Sequence, residues 1–150
     1  HYMKSHITPS KNLNCWEHFE HAADIGIRGR GTTCSYAFEQ AALALTAVVT
    51  DLENIRPVNQ ARFSCHAVNL ELLLIEWLNS LIYEMSVSNI LFSHFSVTIR
   101  NVSLSAICTG EKLNLEKHHP VVEVKAATYD ELRVVQAENG IWIAQCVVDV

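Results

Sequence analysis

Chemistry in this chain is concentrated between Trp16 and Gly31, WEHFEHAADIGIRGRG, where His18, His21 and Asp24 stand beside Glu17 and Glu20. On a helix those first three residues would share one face roughly and resemble a metal triad. The downstream half instead alternates Asp24, Ile25, Gly26, Ile27, Arg28, with a β-branched apolar residue at every second position, the pattern of a half-buried strand. Residues three apart on a strand point to opposite faces. A local zinc triad is thereby excluded, and any site built on Asp24 must draw its partners from elsewhere in the chain.

Two other places offer carboxylates. Asp51 follows a helical stretch, where it faces the negative end of the helix dipole, an unfavourable position unless a cation compensates it. A solvated loop aspartate is the simpler reading. The last strand, GIWIAQCVVDV, is almost wholly apolar until Asp149, with the terminal carboxylate of Val150 beside it. Convergence of Asp24 and Asp51 on that strand end would form an all-oxygen shell suited to a hard divalent ion such as calcium. Spacing alone does not establish the convergence, since aspartates usually end strands at solvent.

The elements that must position these groups follow from periodicity. Leu13 to Glu20 and Asp24 to Arg30 read as two strands joined through Ala22 and Ala23. Thr32 or Thr33 then caps a helix from Cys34 to about Val49, rich in alanine and apolar at helical spacing. Pro57 breaks the chain before a strand over Ala61 to Val68. Asn69 caps a second helix, whose stripe of Leu70, Leu73, Leu74, Trp77, Leu78, Leu81, Ile82 and Met85 is core packing. Strand patterns follow over Phe92 to Arg100, Val102 to Thr109, Val121 to Thr128, Leu132 to Ala137 and Ile141 to Val150. The last two form a hairpin across Asn139-Gly140, and Glu111 to Pro120 reads as a polar loop carrying His118 and His119. These elements predict an α+β single domain, two helices packed against mainly antiparallel sheet. The domain spans 13–150, preceded by a flexible N-terminal arm over 1–12 in which Met3 is a candidate natural start.

Composition narrows the function classes. A chain of 150 residues, 49% of them hydrophobic and with three prolines, is sized for one domain with a proper core. No apolar run approaches the ~20 residues of a membrane helix, so no membrane role is expected. The polar beginning lacks the apolar run of a secretory signal. The five cysteines are never closer than nineteen positions, which leaves no C-x-x-C pair and points to free thiols in the cytoplasm. A formal charge of −5 without a basic cluster argues against autonomous nucleic-acid binding and favours a protein or cation partner.

An ordered set of motifs resembles the archease family: W-E-H-F-x-H-x-A-D-I-G-I-R at Trp16 to Arg28, A-F-E-x-A-A-L-A-L followed by Thr50-Asp51, E-W-L-N-x-L-I-Y at Glu76 to Tyr83, E-V-K-A-x-T-Y at Glu123 to Tyr129, and the terminal V-x-D-V. Together they cover nearly everything from Cys15 to Val150. The resemblance implies an archease-like fold and a protein that is not itself an enzyme. It implies a cofactor protein for an RtcB-type RNA ligase of tRNA splicing and RNA repair, promoting guanylylation of the ligase histidine and multiple turnover. It further implies a metal site, with calcium as the expected ion, built from Asp24, Asp51 and Asp149 near the terminal carboxylate of Val150. The terminus falls where the family's does, so that carboxylate is expected to be native.

His21, Lys125, His118 and Tyr129 are candidates for the rim that contacts the ligase; each has an ordinary structural reading as well. The chain departs from the family pattern at Ala22 and Val122, where threonine is usual, and at Asp130, where histidine often follows the tyrosine. The competing readings are a metal-dependent hydrolase, which would use the cation to activate water, and a chaperone-like protein-binding module whose aspartates merely finish strands.

Overall fold

The computed structural model describes residues 4–6 and 13–150; the predicted arm over 1–12 lies largely outside the described residues. Among the described residues nine strands and three α-helices follow in the order β1 (Ser5–His6), β2 (Cys15–His21), β3 (Asp24–Gly31), α1 (Cys34–Val49), β4 (Asn59–His66), α2 (Leu70–Ser88), β5 (Ile90–Arg100), β6 (Ser103–Lys112), α3 (Leu115–His118), β7 (Ala126–Ala127), β8 (Arg133–Gln136) and β9 (Trp142–Asp149), with a single 3-10 turn, Leu52–Asn54, between α1 and β4. The predicted α+β class holds, but the strands divide between two antiparallel sheets. The larger runs β1-β2-β3-β9-β7, with β8 also on β9; the smaller runs β4-β6-β5.

Local chemistry sets the helix ends. Thr33 Oγ1 accepts from the Tyr36 amide at 3.1 Å and starts α1, and Asn69 Oδ1 accepts from the Leu72 amide at 2.8 Å and starts α2. Each cap satisfies an amide the helix itself cannot, worth about 1 kcal/mol. Helix α1 lies on the larger sheet through its buried alanines Ala37, Ala41, Ala42 and Ala44. The approach is so close that a Cβ at Gly29 would overlap the Ala37 carbonyl and the Ala41 amide nitrogen. On its other side α1 closes the edge of the smaller sheet. Glu39 accepts from the Val97 amide at 2.8 Å and Ser35 from the Ile99 amide at 3.1 Å. These bonds satisfy donors that an open strand edge would leave unpaired. Helix α2 packs on the inner face of the smaller sheet, where Trp77 meets Phe63 and Phe95 edge-on at 5.9 and 6.0 Å. The Trp77 indole donates to the Phe38 carbonyl at 3.1 Å, tying α2 to α1.

Two expectations need correction. The strand expected over Val121 to Thr128 reduces to Ala126–Ala127. Ahead of it the Val121 amide bonds to the Val49 carbonyl at 3.0 Å, so this stretch passes the end of α1 rather than lying in a ladder. The stretch Glu111 to Pro120 is not all loop, since β6 runs to Lys112 and Asn114 caps the short α3. The hairpin at Asn139-Gly140 forms as predicted, with Gly140 at φ 88°.

Candidate functional site

The pairing of β3 with β9 sets Ile25 opposite Val148, which brings the start of one strand against the end of the other. Asp24 and Val150 therefore meet although they are 126 positions apart, and the Val150 amide donates to Asp24 Oδ1 at 3.4 Å, a long contact. Asp149 is exposed beside them, its carbonyl accepting from the Lys125 amide at 2.8 Å. His21 stands opposite Asp24 in the β2–β3 register. Its Nδ1 is buried with no hydrogen-bond partner, an uncommon state for a polar atom and a sign of a missing group. This strand end thus gathers Asp24, Asp149, Val150, His21 and the backbone of Lys125.

Asp51 is arranged differently. It follows α1, and its Oδ1 accepts from the Lys4 ammonium at 2.9 Å. Lys4 is anchored a second time, its amide donating to His18 Nδ1 at 3.3 Å. Because that nitrogen accepts, the other ring nitrogen carries the proton and donates to the Ala44 carbonyl at 2.8 Å. Burial, the largest influence, lowers the His18 pKa; the bond to Ala44 opposes this and the Lys4 charge adds to it. His18 is accordingly a neutral strut rather than a metal ligand. Between Lys4, Ile25, Val48 and Val121 lies a cavity of about 400 Å³, which separates the end of α1 from the start of β3.

Among the described residues no group of three or more His, Cys, Asp or Glu side chains stands close enough to hold a metal. The donors nevertheless fit a hard cation in kind. Asp24, Asp51, Asp149 and the terminal carboxylate offer only oxygen, and the end of α1 already takes a positive charge, with the Lys4 ammonium as stand-in. That ion pair is weak. Asp51 is 57% exposed, and exposed pairs contribute about 0–1 kcal/mol.

The predicted rim residues divide. Tyr129 is 71% exposed and Lys125 is exposed, so both side chains are available at the surface. His118 is not. It is 2% exposed, with Nδ1 accepting from the Asn114 amide at 2.9 Å and Nε2 on Glu111 at 3.1 Å. The Thr50 hydroxyl also donates to its carbonyl. A histidine so fully bonded is part of the core and has no surface to offer a partner. Sequence reasoning missed Lys4, whose tie to Asp51 spans 47 positions and left no local signal. Four of the five thiols are poor nucleophiles: burial, aided by Glu71 and Glu76 respectively, pushes Cys34 and Cys65 up to about 11. Burial likewise pushes Cys108 and Cys146 up to about 12. Thiols this high stay protonated and unreactive at neutral pH.

Comparison with known proteins places this geometry in a family. Residues 16–150 match the archease protein family (MTH1598/TM1083). The chain is 39% identical over 139 residues to protein archease of Pyrococcus furiosus, covering 90% of this chain and 98% of that one. It is 36% identical over 140 residues to protein archease of Methanosarcina mazei, covering 90% and 95%. The solution structure of Methanobacterium thermoautotrophicum protein 1598 superposes with a TM-score of 0.79 at 30% identity, covering 90% of this chain and 98% of that one. The chain belongs to the archease family.

Proposed function

We propose that this protein is a non-catalytic activator of an RtcB-type RNA ligase, acting in the cytoplasm in tRNA splicing and RNA repair. On this reading it promotes guanylylation of the ligase and so lets each ligase molecule turn over repeatedly. The observation that carries the reading is the meeting of Asp24 with Val150 at the end of β3 and β9, in a chain that matches the archease family from residue 16 to 150.

Asp24, Asp51, Asp149 and the terminal carboxylate of Val150 would hold a divalent cation, with calcium the ion their oxygen chemistry suits. Such an ion would neutralise the carboxylates and fix the strand end as a surface for the ligase. The chain's own residues supply the rest. The Lys4 ammonium leaves Asp51, His21 offers its unsatisfied nitrogen, and Lys125 and Tyr129 stand exposed to meet the partner.

The test is RNA joining by a cognate ligase held far below its substrate concentration, with wild type, Asp24→Ala and Asp149→Ala, each first shown to be folded. Repeated turnover with wild type alone supports both the partner and the carboxylates. Equal stimulation by all three proteins keeps the partner and removes the carboxylates from the mechanism. Absence of stimulation from a competent ligase refutes the activator reading and turns attention to hydrolase assays.

A further inference from the structure

The smaller sheet covers its inner face with α2 and leaves its outer face to solvent. Its strands present Gln60 to His66 on β4, His94 to Arg100 on β5 and Ser103 to Thr109 on β6, four outward positions each and no carboxylate among them, although the chain carries 16 acidic residues against 11 basic ones. By strand register, Ser64, Ser105 and Thr98 form a rank of hydroxyls across the sheet. Arg62 stands one rank to one side of it and Arg100 one rank to the other, both exposed. The remaining outward positions are serine, threonine, glutamine, histidine and isoleucine. A shallow concavity of about 370 Å³ lies here, with Arg62 at one side and the hydroxyl rank across it. The next outward residue along β6, Glu111, is folded away. It binds the Lys117 ammonium at 2.7 Å and the Arg56 amide at 2.8 Å, so it does not cancel the arginines.

We infer that this face binds the phosphate backbone of single-stranded RNA without reading its sequence. Arginine together with serine and threonine hydroxyls is the donor set that proteins turn toward phosphates and sugars, and hydroxyls can also bond the ribose 2′-OH. The only rings on the face, among the described residues, are the imidazoles of His66 and His94, with no Phe, Tyr or Trp platform, so the grip falls on the backbone rather than on stacked bases. It also lacks the buried aromatic anchors of a protein interface, Ile107 being its only apolar outward residue. Standard strand spacing puts the two arginines roughly 16 Å apart, so they grip phosphates several nucleotides apart. The net charge of −5 conceals this face because the acids lie elsewhere.

The test uses the protein without any ligase, so its outcome is separate from that of the activator reading. Binding of a fluorescent oligouridylate is followed by anisotropy from about 20 mM salt upward, where screening is weak at the start. Two neutralised phosphates predict a slope of log affinity against log salt of about −1.4, at about −0.7 for each. Arg62→Gln and Arg100→Gln, surface changes that leave the urea midpoint in place, each halve the slope, and the double variant abolishes binding. A deoxyuridine oligomer and poly-glutamate bind more weakly than the RNA. No binding by wild type, binding unchanged in the double variant, or equal capture of either control polymer would overturn the inference.

Discussion

The two sheets handle charge in opposite ways. On the larger sheet the two cations of β3 are spent internally, Glu17 taking both Arg28, at 2.8 Å, and Arg30, while Arg133 on β8 is exposed. Arg28 also donates to Gln145 at 2.8 Å and lies over the Phe19 ring at 4.5 Å. At the end of that sheet the carboxylates of Asp24 and Asp149 flank Val150, oxygen groups whose charge suits a cation. On the smaller sheet the outward arginines face no carboxylate, and the face suits an anion. A sum over the whole chain averages these surfaces away, which is why net charge misjudges what each can bind.

The strongest way to break the comparison is to separate the sheets. Trp77 is fully buried, joins α2 to the smaller sheet through Phe63 and Phe95, and holds α1 through the Phe38 carbonyl. Trp77→Ala removes the ring and the indole donor together, with an expected loss of about 3–5 kcal/mol in urea unfolding. If the two sheets form one cooperative unit, probes on each melt together in the variant. Separate transitions would show that they are independent bodies.

A milder test concerns the acid side of the smaller sheet. Lys117 first, then the Arg56 amide and His118, hold the Glu111 carboxyl down to about 2, from an ordinary value near 4.5. A depressed folded pKa means the unfolded chain binds more protons between those values, so stability rises with pH there. The contribution is complete above about 4.5 and is lost as pH falls toward about 2. In Glu111→Gln, urea midpoints taken across this window should show a shallower rise. Glu17 is lowered as well: burial, the largest influence, raises it, but Arg28 and Arg30 outweigh that. A residual slope in the Glu111 variant therefore combines Glu17 on the larger sheet with the opposite contribution of Glu39, whose carboxyl burial raises.

How much of this was legible in sequence depended on distance along the chain. Thr33, Asn69 and Asn139-Gly140 act within a few residues of themselves, and the caps and hairpin they announce are present. The stripe on α2 is equally local. The division of strands between two sheets was not legible, because alternation fixes which side of a strand is buried and not which strand it joins. Val121 to Val124 keeps a strand pattern yet bonds to the end of α1. His118 looked like a loop residue because its partners depend on the fold of α3. The meeting of Asp24 with Val150 entered through family resemblance, and the Lys4–Asp51 pair did not enter at all.

A smaller effect is expected at the turn that leads into Asp24. Ala22, in the two-residue connection from His21 to Asp24, has φ 51°, in the left-handed region. A side chain there costs roughly 1–2 kcal/mol, and glycine avoids this while losing about 0.5–1 kcal/mol to its freer unfolded chain. Ala22→Gly should therefore raise stability by about 0.5 kcal/mol in urea unfolding, with the gain confined to the larger sheet in hydrogen exchange.

The smallest effect on folding is expected from Lys4→Gln, and it separates the two sheets most sharply. Its ion pair with Asp51 is exposed, so stability should change by less than about 1 kcal/mol. Cation affinity should respond in the opposite sense. An ammonium on Asp51 competes with any other cation for the same oxygen, and removing it deletes the competitor while leaving the carboxylates in place. Calcium titration by calorimetry should show tighter binding by Lys4→Gln than by wild type, and weaker binding by Asp51→Asn. RNA affinity at the smaller sheet should be equal in all three. Equal calcium affinity in wild type and Lys4→Gln would mean that Asp51 takes no part in the site. The larger sheet would then hold its ion, if any, with Asp24, Asp149 and the terminal carboxylate alone.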